Sequence, residues 1–598
     1  MIESPKEIYK AQIKKLETDL NQFNKWSDHL SSLRTMSFFI ALVVGSFNQY
    51  QNWFSTWWLG LYILFFLILV IIHEWVASKK SSTQLQVDFF LKGINRINGN
   101  WHKDQIDHGL VEIKDHLFAH DLEIFGKDSL FNLLCTATTQ SGKQQLQKWL
   151  CQNPSKELIE ARQCASKELS SEVDFRLSLN VKASIIKDRI HPDRLTKWAQ
   201  TPANFTKSQI LKYQLIAWAL TCTMIIGLIL WGYLNQAPIV FFSALLLELV
   251  FYNFINKKLS PLFANMGTPN KELNFISKLL TIVEHKSFSS PFLKSLQVDL
   301  RSGAGVASKE ILYFDKLIQR LDMRRNQVFA LFAYLFMWSV HFGLRIEKWK
   351  SEHEKEIPIW LETVGEFEAI NSIANYAFEH PADNYPTIKD GPAFFSGEEL
   401  GHPLMSEVEC IRNSIDLNQN SNLWIISGSN MCGKSTFLRV VGINIVMSKL
   451  GAPVRAKSLS LSPLTLGSSI NVQDSLEKGH SKFYAEILQL KRIVEAAKSK
   501  PPVLFLMDEL LHGTNSHDRL TGAKSIITHM IKHGGIGLIT THDLTLTKAI
   551  EELKLSAKNM HFQDQFEGDK LHFDYKVHSG VVKKSNALEL MRSIGIDV

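Results

Sequence analysis

The chain has 598 residues and a formal net charge of +7, a length that excludes a single hydrophobic core and predicts several domains. Its six cysteines form no Cys-x-x-Cys pair, which argues against a zinc site or disulfide framework and for reduced thiols in a cytosolic compartment. The surplus of Lys and Arg is spread along the chain and suits nucleic acid or anionic lipid as a partner without selecting either. Residues 5–30 predict a helix with Ile13, Leu16, Leu20 and Phe23 on one stripe. It reads equally as a juxtamembrane amphipathic helix and as a solvated helix with an ordinary apolar stripe. No cleavable signal is expected, because the first apolar run starts only near Met36.

Two apolar runs follow, 36–47 and 57–72, joined by the uncharged NQYQNWFST (48–56). A helix needs ~20 residues to cross the hydrocarbon core. The second run reaches that length with Trp57, Trp58 and Trp75 as interfacial belts, and the first only from Leu33 through Gln49. Lys6, Lys10, Lys14, Lys15, Lys25 and Arg34 precede the pair, Lys79 and Lys80 follow it, and the turn carries none. Both ends are therefore expected on the cytoplasmic side. A second pair, 215–234 and 239–255, turns at NQAP, carries one acid, Glu248, and closes on Lys257 and Lys258. An intramembrane Glu is costly, and packing against a partner helix is its expected role. A third run, 326–344, is long enough to span. Spanning there would place the C-terminal part of the chain on the side opposite the first soluble segment, so a buried or interfacial helix is expected.

The chemistry lies downstream. Gly428, four residues, then Gly433-Lys434-Ser435 fits a P-loop, with strand LWIIS before it and helix STFLRVVGINIVMSKL after it. Backbone amides of Gly428, Ser429, Asn430, Met431, Cys432, Gly433, Lys434, Ser435 and Thr436 would hold the phosphates of ATP. Lys434 would contact the β/γ-phosphates and Ser435 would hold Mg²⁺. The strand Val503–Met507 ends in Asp508-Glu509. Asp508 is placed to hold Mg²⁺ through water, and Glu509 to orient or deprotonate the attacking water. The strand GIGLITTH ends on His542, at the carboxyl end of the sheet where the γ-phosphate would lie. Gly479-x-Ser481 opens another helix. Either Ser481 serves the nucleotide of a second subunit in trans, which makes the protein a homodimer, or it caps its own helix.

GSNMCGKSTFLRVVG resembles the P-loop of the MutS family of DNA mismatch-repair ATPases, a branch of the ABC-type fold. GHSKF resembles the family's signature loop, LFLMDELLHGTNSHD its Walker B and D-loop, TTHD its switch histidine, and 571–596 its closing segment. The resemblance makes Asp518 the D-loop acid. Residues 128–169, 360–377 and 401–405 resemble the opening of the family's core, or lever, domain, the end of that core, and the start of the ATPase. The departures are specific. No mismatch-reading domain is expected before the core and no Smr nuclease tail after the ATPase, and no Phe-x-Glu triplet occurs in these 598 residues. The family's DNA clamp is expected to be missing or reduced, with a membrane hairpin in part of its interval. The family's adenine-stacking aromatic falls near Cys410-Ile411, and Lys482 follows Ser481 where the family has a second hydroxyl.

The expected fold is therefore an α/β P-loop ATPase domain of ABC type, preceded by an all-α MutS-like core/lever domain with transmembrane hairpins. The expected divisions are 1–34 N-terminal amphipathic helix, 35–76 first hairpin, 77–119 linker and 120–210 first core part. They continue with 211–256 second hairpin, 257–388 core and lever, and 389–598 ATPase. The resemblance implies a Mg²⁺-dependent ATPase that binds duplex DNA in mismatch-repair fashion; the apolar runs and their flanking charges imply a multi-pass membrane protein whose core and ATPase are cytoplasmic, with lipid contacted by four helices. The alternative is a membrane mechanoenzyme whose levers act on protein or lipid partners without DNA.

Overall fold

The computed structural model describes residues 4–51, 57–103, 116–185, 192–233, 238–264, 269–301, 305–429, 432–471, 482–543, 545–547, 555–567 and 570–582. The fold is helix-rich with two mixed sheets. It divides into two compact units: residues 1–136, 147–177 and 370–598 form one, and 137–146 with 178–369 the other. The first hairpin thus groups with the C-terminal sheets, a partition that the expected linear order of domains did not contain. Among the described residues, four helices are long and apolar enough to cross a membrane: Pro5–Phe47, Gly60–Ile97, Lys207–Gly232 and Pro238–Phe263.

In the first unit, Pro5 opens α1 (Pro5–Gln51), where its missing N–H costs nothing. No further Pro or Gly intervenes before Gly45, so the polar segment and the first apolar run form one helix rather than the separate 1–34 element expected. Helix α2 (Trp57–Ile97) likewise runs on through much of the expected 77–119 linker. It does so because Val87, Phe89 and Phe90 pack against Tyr9 and Ile13 of α1. Further along both helices the apolar side chains face outward: Phe39, Val43, Leu61, Leu64 and Ile71 are exposed. Each would forgo about 1.5–3 kcal/mol in water, so this surface requires an apolar cover. The polar base of the hairpin is tied by Arg96, whose Nε and Nη2 donate to Glu379 Oε2 and Oε1 at 2.7 and 2.6 Å. Tyr9 Oη donates to the same fully buried carboxylate at 3.3 Å. Helix α3 (Lys156–Ser171) starts at Ser155, whose Oγ accepts from Leu158 N at 3.4 Å, and its Arg162 stacks on Trp149 at 3.8 Å.

The second unit holds α4 (Lys207–Gly232) and α5 (Pro238–Ala264). Thr206 and Gln209 form a reciprocal cap at the start of α4. At Gly227 a Cβ would meet the Phe241 backbone at 2.9 Å, so only glycine permits this approach of the two helices. Glu248 is buried beside Thr221 of α4 and does not face outward. Then come α6 (Ala307–Asp322), α7 (Gln327–Leu335), α8 (Trp338–His353) and α9 (Glu356–Glu379), the last supplying residues to both units. The single helix expected over 326–344 is instead a pair bent by 72°. Met337 sits at the break with φ 44°. Ser339–Leu344 of α8 are buried while Leu331 and Phe332 of α7 are exposed, and one straight helix could not serve both surroundings. Trp349 of α8 stacks on Phe314 of α6 at 4.1 Å.

Among the described residues, the strands all lie in the first unit. They are β1 (Thr387–Ile388), β2 (Phe395–Leu400), β3 (Asn413–Leu417), β4 (Leu423–Ser427), β5 (Ser458–Leu461), β6 (Thr465–Ser469), β7 (Val503–Met507), β8 (Ile536–Thr541), β9 (Ala557–Glu567) and β10 (Lys570–Ser579). One sheet has the order β1-β5-β2-β3; the other is β10-β9-β4-β8-β7-β6, parallel except for β10. Strands β4, β6, β7 and β8 are buried throughout, which explains runs such as VLFLM without polar alternation. Helices α10 (Lys434–Leu450), α11 (Lys482–Ala496) and α12 (Ser516–Lys532) complete this unit. Leu490 and Ile493 of α11 and Ile527 and Met530 of α12 share one apolar cluster with Phe505, Met507 and Ile539 of the sheet.

Replacing Arg96 by Met leaves a buried, uncompensated Glu379 and is expected to cost roughly 3–5 kcal/mol of stability. The double variant R96M/E379M should recover most of that loss. Chemical unfolding of the detergent-solubilised chain measures both, and equal losses in the single and double variants would show that the pair is not what holds this base together.

Candidate functional site

The loop between β4 and α10 turns at Gly433, whose φ of +100° places it in the left-handed region. There an L side chain costs roughly 1–2 kcal/mol. A Cβ at this position would also come within 3.1 Å of the Tyr575 ring. The following Lys434 is buried, and its Nζ donates to the carbonyls of Gly428 and Ser429 at 2.8 and 2.7 Å. Cys432 is buried with Sγ 3.0 Å from Ser429 O, so a thiol is accommodated in this loop. Thr436 is exposed on the first turn of α10, and Asn430 and Met431 lie outside the described residues. A helix N-terminus with a lysine folded back over its loop is a ready cradle for an anion.

Parallel pairing brings the second group of residues to the same edge. Ser427 of β4 is level with Thr541 of β8, and Met507 of β7 with Ile539. The next residue after β7, Asp508, accepts from Ser435 Oγ at 2.5 Å through Oδ2 and from Thr540 Oγ1 through Oδ1. A carboxylate and a hydroxyl are hard oxygen donors of the kind Mg²⁺ takes. Glu509 has φ +48°, and its N–H donates to Thr540 Oγ1 at 3.1 Å. This turn aims its carboxylate at His542 Nδ1, 3.4 Å away, and His512 Nε2, 3.7 Å away. The ligand atoms of the three side chains lie within 4.8 Å of one another. A carboxylate held this way can accept a proton from water.

The structure thus brings Lys434, Ser435 and Asp508 together, and Glu509 with His542. Asp518 stands apart from these contacts: it is exposed on the first turn of α12, where Asn515 Nδ2 donates to its Oδ2 at 2.7 Å. Ser481 lies outside the described residues. Two further groups had no signal in the motifs. Glu486 of α11 accepts from the N–H of Leu511 at 2.7 Å, supporting a backbone turn with φ +57°, and burial pushes its carboxyl above the usual range. Tyr575 sits where the β9–β10 register shifts, with φ +53°, and the residue is 42% exposed. Asn413 fixes that irregularity, with Nδ2 donating to Tyr575 O and Oδ1 accepting from Val577 N, both at 2.9 Å. Lys576 Nζ donates to Arg412 O at 2.7 Å. A tyrosine ring is therefore delivered beside the segment following Cys410-Ile411, where the chain itself has no aromatic residue.

A sheet with this parallel core, and a glycine loop leading into a buried lysine and an Asp-Glu strand end, is the arrangement of an ATPase-type domain. Residues 424–597 match the family model described as MutS domain V. It is similar to DNA mismatch repair protein spellchecker 1 of Drosophila melanogaster, 34% identical over 212 residues, 34% of this chain and 23% of that protein. It is also similar to DNA mismatch repair protein MutS of Persephonella marina, 31% identical over 237 residues, 39% and 27% of the two chains. MutS of Streptococcus uberis is 32% identical over 198 residues, 32% and 23% of the two chains. The matched part spans about a quarter of the length of these relatives.

Gly433→Ala is expected to destabilise the first unit by roughly 1–2 kcal/mol, the cost of an L residue in the left-handed region. Denaturant unfolding followed by fluorescence reads the loss; unchanged stability would mean that the loop adopts another turn.

Proposed function

We propose that the chain is a membrane-anchored, Mg²⁺-dependent ATPase of MutS type, acting as a homodimer on DNA held beside the membrane. The observation that carries the ATPase reading is the meeting of Lys434, Ser435, Asp508, Glu509 and His542 at one edge of a parallel sheet. Residues Gly428–Thr436 would cradle the phosphates, with phosphate oxygens taking the Lys434 protons now given to loop carbonyls. Ser435 and Asp508 would hold Mg²⁺, which neutralises charge on the phosphates. Glu509 would take the proton of the attacking water, oriented by His542. Tyr575 would stack on the base. Ser481 and Asp518 would act at the interface between two copies, Ser481 in trans. The four long apolar helices support membrane anchoring. The names of the relatives support DNA as the partner.

A second reading keeps the ATPase and exchanges its cargo: the levers act on protein or lipid without DNA. It is favoured by the limited reach of the similarity, 32–39% of this chain, while apolar helices occupy much of the remainder.

ATP hydrolysis by the detergent-solubilised chain, with and without duplex DNA across a salt series, separates the readings. Stimulation that fades with salt supports DNA, because phosphate contacts release counterions; indifference supports the second. Glu509→Gln is expected to lower kcat roughly 10²–10⁴-fold, and a wild-type rate no higher than this variant's would reject both. Tyr575→Ala should raise KM for ATP about 5- to 150-fold with kcat little changed, in line with about 1–3 kcal/mol for a base stacked on an aromatic ring. Tyr575→Phe should retain the wild-type KM.

A further inference from the structure

A cavity of about 530 Å³ lies in the second unit, lined by α5, α7, α8 and the turn that follows α6. None of its residues belongs to the site described above. Its polar wall includes Asn256, Ser260, Arg324, Arg325 and Ser339, with Tyr252 and Tyr334 beside them, and among the described residues no carboxylate lines it. Arg325 has its Nε 3.5 Å from Asp322 Oδ1 and is largely exposed. Arg324 differs. It is half-buried, its Nη1 donates to Ser339 Oγ at 3.1 Å, and its guanidinium carbon lies 4.3 Å from the Phe263 ring centroid. It forms no ion pair among the described residues. Burial pushes its pKa below the ordinary value, yet a guanidinium stays charged at physiological pH. A partly desolvated cation with donors to spare gains most from a bidentate anion.

The surroundings specify which anion. Helix α5 exposes Leu246, Leu247, Val250 and Phe254, then reaches Lys257 and Lys258. The cavity therefore opens at the level where an apolar surface gives way to a basic one. Helix α7 has no charged residue, is too short to span a bilayer, and exposes Leu331 and Phe332. Basic pockets at the cytoplasmic end of membrane helices suit phosphate head groups, and the exposed side chains of α5 and α7 suit acyl chains.

We propose that this cavity binds the phosphate head group of an anionic glycerophospholipid, with Arg324 as its principal ligand and the acyl chains along α5 and α7. The inference rests on the membrane-anchored reading above. A free phosphate would satisfy Arg324 equally but would leave Leu331 and Phe332 uncovered.

The test is a binding titration of the full detergent-solubilised chain with dioctanoyl-phosphatidylglycerol, dioctanoyl-phosphatidylcholine and inorganic phosphate. Saturable binding of the glycerol lipid, at least tenfold tighter than the choline lipid, is expected. Arg324→Gln should weaken it at least tenfold, Arg324→Lys less, and Arg34→Gln in the first hairpin not at all. Should Arg324→Gln fail to fold, Ser339→Ala and Arg325→Gln carry the comparison, each with a severalfold loss. Equal affinity for the two lipids, or no effect of the cavity variants, overturns the proposal. Inorganic phosphate binding as tightly as the glycerol lipid overturns the lipid assignment. Carbonate extraction of membranes run in parallel keeps the two readings apart. A chain that is extracted defeats membrane anchoring; a chain that stays but shows no lipid preference defeats only the cavity.

Discussion

The Asp508 carboxylate joins three parallel strands. It follows β7, accepts from Ser435 at the start of the helix after β4, and accepts from Thr540 of β8. Each hydrogen bond requires a particular register between neighbouring strands, and a slip of one residue would turn a side chain to the other face. The all-apolar strands hold that register because they are buried throughout. The glycine turn at 433 and the left-handed turns at 509 and 511 then aim side chains over the edge of a rigid sheet. A site on such an edge is better positioned than one on a free loop. Glu486 contributes from the side, fixing the turn at Leu511 that follows Glu509.

The helices obey a different constraint. A helix satisfies its own backbone hydrogen bonds, so α1, α2, α4 and α5 can present apolar side chains outward wherever lipid takes the place of water. Their polar ends need protein partners, and they have them. Arg96 and Tyr9 converge on Glu379 in the first unit. In the second, Thr206 and Gln209 cap α4, and Gly227 lets α5 approach. The break at Met337 follows the same logic, separating a buried helix from one whose apolar face is uncovered.

The match to MutS domain V covers residues 424–597, and the ATPase motifs that resemble the MutS family lie there. The departure at Cys410-Ile411 looks like a loss when read along the chain. In three dimensions Asn413 and Arg412 hold the β10 irregularity that carries Tyr575 to the same neighbourhood. Tyr575 lies 162 residues beyond Asn413 in the chain and is brought beside that segment by this contact. On the proposed reading this is how the nucleotide keeps a stacking partner.

Local pattern was enough to reveal the glycine loop, the apolar strand ending in Asp508-Glu509, the threonine strand ending at His542 and the apolar helical runs, because each depends on neighbours in the chain. It did not reveal the 72° bend within residues 326–344. Boundaries were less legible: α1 and α2 continue past the expected limits because Tyr9, Ile13, Val87 and Phe90 pack together, a contact invisible in either segment alone. Tyr575, Glu486, the Arg96–Glu379 pair and the cavity around Arg324 had no sequence signature at all. Each depends on side chains brought together by strand register or helix packing across long stretches of chain. The sequence determined the elements and the chemical groups; tertiary structure alone decided which of those groups meet, because burial and register act between segments that local periodicity cannot connect.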